Sequence, residues 1–418
     1  QEESRPPQNT PSQNGTVMAS NFQVPCVLVL LTFSLPIVGQ ETDARIQPIY
    51  GESIETPKVA MDEQGMFQLG ERLPQAWTSL RRIVFPQRKT TPSNASWLVQ
   101  LVAGGKLWST TAPKFDGENV QFTTRYGVVE FPIEQLVGWY RRETLQDSVN
   151  SSPPPAKLDE DQLAVELEGQ SQYLAGLLEA VEDDHFVFTF EGETREIPLA
   201  RVQGIFMATA GLIQPDEGFL VTLTDDSQVF GEPIQWTNEQ LTLDLAGLKQ
   251  IRLPADEITR VEIRSPHLTF LSDVEPESAE VKGLLLPARS WKRDLTVDGH
   301  PLTHAPSDNS SRIQTYSKGL GVPSESRITY LRSYFDRLIS YVCLDPAKRG
   351  AGDCVVEVLL DGKTVFQKRL TGTSPSTEID VPLGSSERVS LAVRFGEKLE
   401  LADHVNWCDA RLIRVNQP

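Results

Sequence analysis

The sequence predicts an all-β chain in which three tandem small β-barrel-like repeats precede a β-sandwich. Three observations predict it. Short apolar runs alternate with polar residues at period two, the spacing of half-buried strands. A proline-anchored pattern recurs three times at one fixed spacing, which marks one structural unit used repeatedly. From residue 266 onward, strand-like runs are separated by turn signals such as Asp298-Gly299 and Asp361-Gly362.

Taken in order, residues 1–39 hold a polar leader and an uncharged apolar run, "VPCVLVLLTFSLPIVG", from Val24 to Gly39. The run is shorter than the ~20 residues of a spanning helix, so it reads as a secretory signal peptide. Met18 precedes it without an intervening Lys or Arg. This predicts a secreted, periplasmic or cell-surface protein; an anchor formed by the uncleaved segment is the alternative. Residues 40–95 read as a partly ordered lead-in. Within it, "MFQLGERLPQAWTSLRRIVF" is expected to hold a short helix broken at Pro74.

The repeats occupy 96–143, 161–210 and 216–265. Each opens with Val-x-Leu, at Val99, Val165 and Val221, and reaches a proline 33 residues later, at Pro132, Pro198 and Pro254. Apolar residues stand four and seven positions after each proline: Leu136 and Trp139, Val202 and Ile205, Ile258 and Val261. The three valines are therefore expected at equivalent places. Between the first two repeats, 144–160 carries "SSPPP", a semi-rigid spacer. Over Trp97 to Arg264 the pattern resembles Sm-like small barrels, many of which bind RNA. The formal net charge of -18 argues against a nucleic-acid partner, which wants a basic face. A protein partner bound through the repeats is the expectation that remains open.

Residues 266–418 carry a second resemblance. Leu271-Ser272-Asp273, Trp291, Asp294, Gly299, Pro301-Leu302, Tyr316, Lys318-Gly319-Leu320-Gly321, Tyr330-Leu331, Asp345, Asp361-Gly362 and Trp407 with Asp409-Ala410-Arg411-Leu412 stand in order. Together they resemble the NPCBM family, a carbohydrate-binding module found beside family 98 glycoside hydrolases. The resemblance implies a galactose-binding-like jelly-roll sandwich with sugar held by loops at one rim. It also implies that a structural calcium ion is common in such folds. No EF-hand pattern is present, so the metal stays open, and no cofactor is expected. The sequence departs from the family at Pro323 and Ser324, where the turn usually continues His-Ala; Ser326 follows where the family has a later Ser.

The Gly319-x-Gly321 pair lacks the third glycine and following helix of a dinucleotide site. It reads instead as a strand entry needing positive φ or close backbone approach. Sugar rings offer apolar faces to aromatic side chains, and polar neighbours fix the hydroxyls. The candidates are Trp291, Tyr316 and Trp407, with Lys292, Asp294, Lys318 and Asp409 beside them; for Trp407 a core position is the competing reading.

Cys343 and Cys354 flank a turn-rich loop and are the candidate disulfide, with Cys408 the rival partner and three inert thiols the alternative. His300 and His304 stand four apart, but Pro301 and Pro306 break any helix that would align them. Gly-x-Ser-x-Gly, His-Glu-x-x-His and Walker patterns are missing. The expectation is an exported, non-catalytic carbohydrate-binding protein. The alternative is a structural or assembly protein whose repeats bind a protein partner.

Overall fold

A computed structural model of the chain describes residues 44–69, 73–91, 93–142, 159–167, 169–208, 215–245, 249–283, 289–304, 313–348, 351–372, 374–397, 399 and 402–415. The apolar run at 24–39, with Cys26, and most of the 144–160 spacer lie outside the described residues. The described chain is all-β, with repeated units followed by a sandwich, and no helix in it is long and apolar enough to cross a membrane.

Each repeat is an antiparallel meander whose last strand returns to pair the first. In the third repeat, Gly218–Leu223 pairs Gln228–Trp236, which pairs Gln240–Leu245, which pairs Lys249–Pro254. Ile258–Arg264 then closes back on the first strand. The second strand is long enough to pair on both sides because a bulge between Pro233 and Gln235 re-aims it. The repeating prolines have a local cause. Pro132, Pro198 and Pro254 each end a strand at φ near -56° and lead into a 3-10 turn, at 133–135, 199–201 and 255–257. Proline's fixed φ and missing N–H suit that corner. The apolar residues four and seven positions on, such as Leu136 and Trp139, are fully buried.

The lead-in differs from expectation. Instead of a helix broken at Pro74, it forms strands Ala44–Pro48, Ile54–Thr56, Met66–Phe67, Gln75–Ala76 and Leu80–Val84, with a 3-10 turn at Trp77–Ser79. This is a fourth copy of the unit. Ala76 stands in the proline's place at φ -62°, and Leu80 and Ile83, four and seven positions later, are fully buried.

Strand register refines the equivalence of the valines. Val99 faces Trp139 and Val221 faces Val261, but in the second repeat Leu163 faces Ile205, while Val165 faces Val202. Leu163, not Val165, therefore matches Val99 and Val221. The first hairpin of this repeat is longer, running to Leu167↔Gln170. Because side chains alternate with period two, a two-residue shift keeps the same face buried.

The four copies pair through their last strands, and the pairing is nested. The first and second repeats join at Trp139↔Ile205, and the lead-in copy joins the third repeat at Ile83↔Val261. Each join is antiparallel and centred on the residue seven positions after the corner. Gly138 and Gly204 allow the close approach at the inner join: a Cβ on Gly138 would collide with the Ile205 carbonyl, and one on Gly204 with Tyr140. One apolar core runs from Ala44 to Ile263 through all four copies, so they share a core rather than each enclosing its own.

Only residues 265–267 separate the third repeat from the sandwich. One sandwich sheet runs, in spatial order, Lys292–Arg293, Gly319–Pro323, His404–Ile413, Arg337–Leu344 and Thr377–Pro382, with Leu268–Phe270 also on His404–Ile413. The facing sheet runs Ser278–Val281, Ser326–Leu331, Arg388–Phe395, Asp353–Leu360 and Lys363–Thr371. The hairpin expected at Asp361-Gly362 is present, with both residues at positive φ, 47° and 81°, the requirement of a tight two-residue turn. Between the sheets lies a second core that includes Leu320, Val322, Tyr330, Val356, Leu391 and Trp407.

His404–Ile413 is buried on both faces along its whole length. Its outward face is covered at one end by the small hairpin Leu302–His304 with Gln314–Tyr316: Asn406 Nδ2 donates to the Thr303 carbonyl at 3.1 Å. At the other end the lead-in copy covers it. Ile49 packs with Ile339 and Ile413, and Tyr50 donates a 3.2 Å hydrogen bond to Asp380.

Candidate functional site

Gly319 and Gly321 settle the question their spacing raised. Both lie in a fully buried strand, where an added Cβ would collide with the Trp407 carbonyl and the Leu295 carbonyl, respectively. The pair permits close backbone approach on two sides of one strand, which brings the 292–296 segment and the final strand against it.

That approach builds a charged cluster at the Gly319 end. Asp294 sits at φ 58°, donates its N–H to the Gly319 carbonyl (2.8 Å) and accepts the Gly319 N–H on Oδ1 (3.1 Å). Its other oxygen lies 3.1 Å from Lys318 Nζ, which also binds Asp273. Burial works against the Lys318 charge, but the two carboxylates outweigh it and raise its pKa. The Lys318 carbonyl accepts the Asp409 N–H at 2.9 Å, which ties the cluster to the last strand.

Two residues before Lys318, Tyr316 belongs to an aromatic group. Tyr316 is half-buried, with its ring 5.2 Å from His304 and 6.2 Å from Tyr341; His304 stacks on Tyr341 at 15°. Tyr316 donates to Gln314 Oε1 at 2.8 Å and Tyr341 to Glu378 Oε1 at 3.4 Å. Burial above all, with the nearby Cys408 and Asp409, pushes the Tyr316 phenol upward, so it stays a neutral donor. An aromatic face two residues along the chain from a lysine bracketed by carboxylates offers both requirements of a sugar site: apolar cover and fixed hydroxyl partners.

The structure therefore ties Asp294, Lys318 and Asp409 together through side-chain and backbone contacts, and places Tyr316 near Asp409. Asp409 is committed to structure: it lies at φ 55°, is 8% exposed, and binds Arg81 of the lead-in copy at 2.7 Å as well as Arg411. Lys292 pairs with Gly321 on the adjoining edge strand. Trp291 packs half-buried against the sandwich core, with the Arg293 guanidinium 5.4 Å from its ring. Trp407 corrects an expectation: it is 0% exposed at the centre of the core, so its ring has no face for a sugar.

The expected Cys343–Cys354 disulfide is also corrected. All three described cysteines are free and buried. The strands that carry Cys343 and Cys354 lie in opposite sheets, and Asp353–Leu360 pairs Lys363–Thr371 and Arg388–Phe395 instead. Cys343 neighbours Cys408, whose thiol is raised by a hydrogen bond with Cys343 and by burial. Sequence reasoning passed over Arg81, His304, Tyr341 and Glu378 as parts of this region. Arg81 carried no signal, because its partner lies 328 residues away.

Comparison with known proteins bears on residues 267–413, which match the model of the NPCBM/NEW2 domain. Among solved structures, this chain is similar to the CBM51 module of Clostridium perfringens GH95 in complex with methyl-galactose. The identity is 26% over 35% of this chain and 99% of that one, with a TM-score of 0.32. It is similar to the CBM51-2 and INT domains of Clostridium perfringens ZmpB at 21% identity, over 42% of this chain and 36% of that one, with a TM-score of 0.33. The tandem CBM51 modules of a Streptococcus pneumoniae family 98 glycoside hydrolase are 20% identical, over 36% of this chain and 48% of that one, with a TM-score of 0.32. The chain thus spans the whole of the first structure but only a third to a half of the other two. No curated protein sequence matches the chain.

Proposed function

We propose that this chain is an exported, non-catalytic carbohydrate-binding protein whose C-terminal sandwich holds the sugar. The four-copy body is a rigid carrier for it. The observation that carries this reading is the match of residues 267–413, the whole sandwich, to the NPCBM/NEW2 domain. The sugar is placed near the paired rings of Tyr316 and Tyr341, with Lys318, held by Asp273 and Asp294, two residues along the chain from Tyr316. The ring of Tyr316 covers an apolar sugar face, and Lys318 with its two carboxylates takes hydroxyls as donor and acceptors.

A glycan array probed with the full chain tests this, with galactosides and N-acetylglucosamine included. Binding to a defined glycan set is expected, with at least a tenfold loss in Tyr316→Ala and in Lys318→Ala. An array without binding would end the carbohydrate reading; binding that both variants keep would move the site elsewhere. Incubation with a bound glycan should release no product. Removing residues 18–39 should retain the protein inside the cell that makes it.

A further inference from the structure

At the opposite end of the strand pair from Lys318, three side chains converge that neither the sugar reading nor the core employs. Asp298 lies in the tight turn that follows Leu295, where Gly299 takes φ 89°. Asp345 follows directly on Arg337–Leu344, and His404 opens the final strand. Their backbones are locked together, because the Asp345 N–H donates to the His404 carbonyl at 2.7 Å. One ligand atom from each of the three lies within 4.8 Å of the others.

Two of these residues each carry a buried atom without a hydrogen-bond partner: Asp345 Oδ2, on a residue 3% exposed, and His404 Nδ1, on a residue 8% exposed. Asp345 uses only its other oxygen, which accepts the Ala347 N–H at 3.1 Å. His404 Nδ1 is 3.3 Å from Asp298 Oδ2, yet makes no hydrogen bond. An unpaired buried carboxylate oxygen is costly, and such groups normally find a partner or bind a cation.

We propose that Asp298, Asp345 and His404 form a binding site for a borderline divalent cation, zinc foremost. Two carboxylate oxygens and one imidazole nitrogen are a ligand set for zinc, with manganese next, and three protein ligands leave a coordination position open. Calcium does not fit, since it takes six to eight oxygens. Ligand atoms around zinc at ~2.1 Å stand about 3.5 Å apart, so the three side chains need to close by roughly an ångström. Asp298 is held meanwhile by Arg289 on Oδ1 and by Lys348, whose Nζ is 3.3 Å from Oδ2. Both cations are on partly exposed side chains, 56% and 36%, and can swing away as the metal arrives.

The test is calorimetric titration of the EDTA-stripped, untagged chain with zinc, manganese and calcium chlorides. One zinc site of micromolar affinity or tighter is expected, with manganese weaker and calcium silent. Asp345→Asn and His404→Gln should each weaken zinc at least tenfold. Lys348→Ala should tighten it several-fold, because a competing charge on Asp298 is removed. Melting curves in EDTA identify any variant that fails to fold, and the Lys348→Ala result decides the matter if both ligand variants do. Zinc weaker than about 100 μM, zinc affinity indifferent to all three substitutions, or calcium bound in preference to zinc overturns the proposal. Glycan binding does not enter these readouts, so failure here and failure of the sugar reading are separable.

Discussion

Asp409 is the strongest test of how the sandwich is held against the repeats. Its carboxylate lies between Arg411, 8% exposed, and Arg81, 21% exposed, and is itself 8% exposed. Asp409→Asn removes the charge while keeping the shape, and asparagine tolerates the φ of 55° that this position needs. At an effective dielectric of ~20, each arginine loses about 4–6 kcal/mol of attraction at 3–4 Å. The desolvation already spent on Arg411 is not recovered, because the group stays buried.

Breaking a buried pair from one side costs about 3–5 kcal/mol. We expect the lower end, about 3 kcal/mol, because Arg81 is one-fifth exposed and water screens its share. For a sandwich of this size that corresponds to a fall in Tm of about 6–12 °C. Urea unfolding followed by tryptophan fluorescence measures it, with Trp291 and Trp407 reporting on the sandwich. Arg81→Ala should cost clearly less, since Asp409 and Arg411 remain paired. A loss under 1 kcal/mol in Asp409→Asn would show that these charges are solvated and that the docking rests on other contacts, such as Ile49 with Ile339 and Ile413 and the Tyr50–Asp380 hydrogen bond.

Two further substitutions, thiol labelling and a pH series probe separate parts of the molecule. Gly138→Ala forces a Cβ into the Ile205 carbonyl and should destabilise the repeat body by about 1–3 kcal/mol in thermal unfolding, while the sandwich transition stays put. Trp407→Ala should cost about 3–5 kcal/mol as a core truncation; loss of sugar affinity at unchanged stability would instead make it a platform. Thiol reagents should label Cys343, Cys354 and Cys408 only after denaturation, which mass spectrometry reads directly. Burial foremost, with Asp403 and Asp353 adding, holds the Cys354 thiol well above its ordinary value. The unfolded thiol ionises near pH ~8.5 and the folded one does not, so this contribution is constant below that pH. Stability should then fall as pH rises beyond it; a flat profile up to pH 10 would contradict the burial of this group.

The sequence by itself determined the strand character of three of the four repeats and the nature of the sandwich. Period-two alternation is a local property, carried by Gln240–Leu245 in repeat three and by Lys363–Thr371 in the hairpin across Asp361-Gly362. Proline corners are equally local, because the ring restricts its own φ, and the ordered pieces from Leu271-Ser272-Asp273 to Asp409-Ala410-Arg411-Leu412 placed the family resemblance. Local signals failed where a substitute did the same work. Ala76 reaches the corner conformation without a proline, so the fourth copy went unread. The Val-x-Leu match misplaced Val165 by two residues, because a longer hairpin leaves the buried face unchanged.

Only the tertiary structure decided which strands meet. Backbone N–H and C=O groups are the same at every strand edge, so nothing near Trp139 or Ile83 specifies Ile205 or Val261 as its partner. Shape at the join specifies it, through Gly138 and Gly204 and the shared core. The same holds for charge. Arg81 meets Asp409, and Asp298 meets Asp345 and His404, because folding converges residues far apart in the chain, and a single sequence carries no local mark of such a meeting.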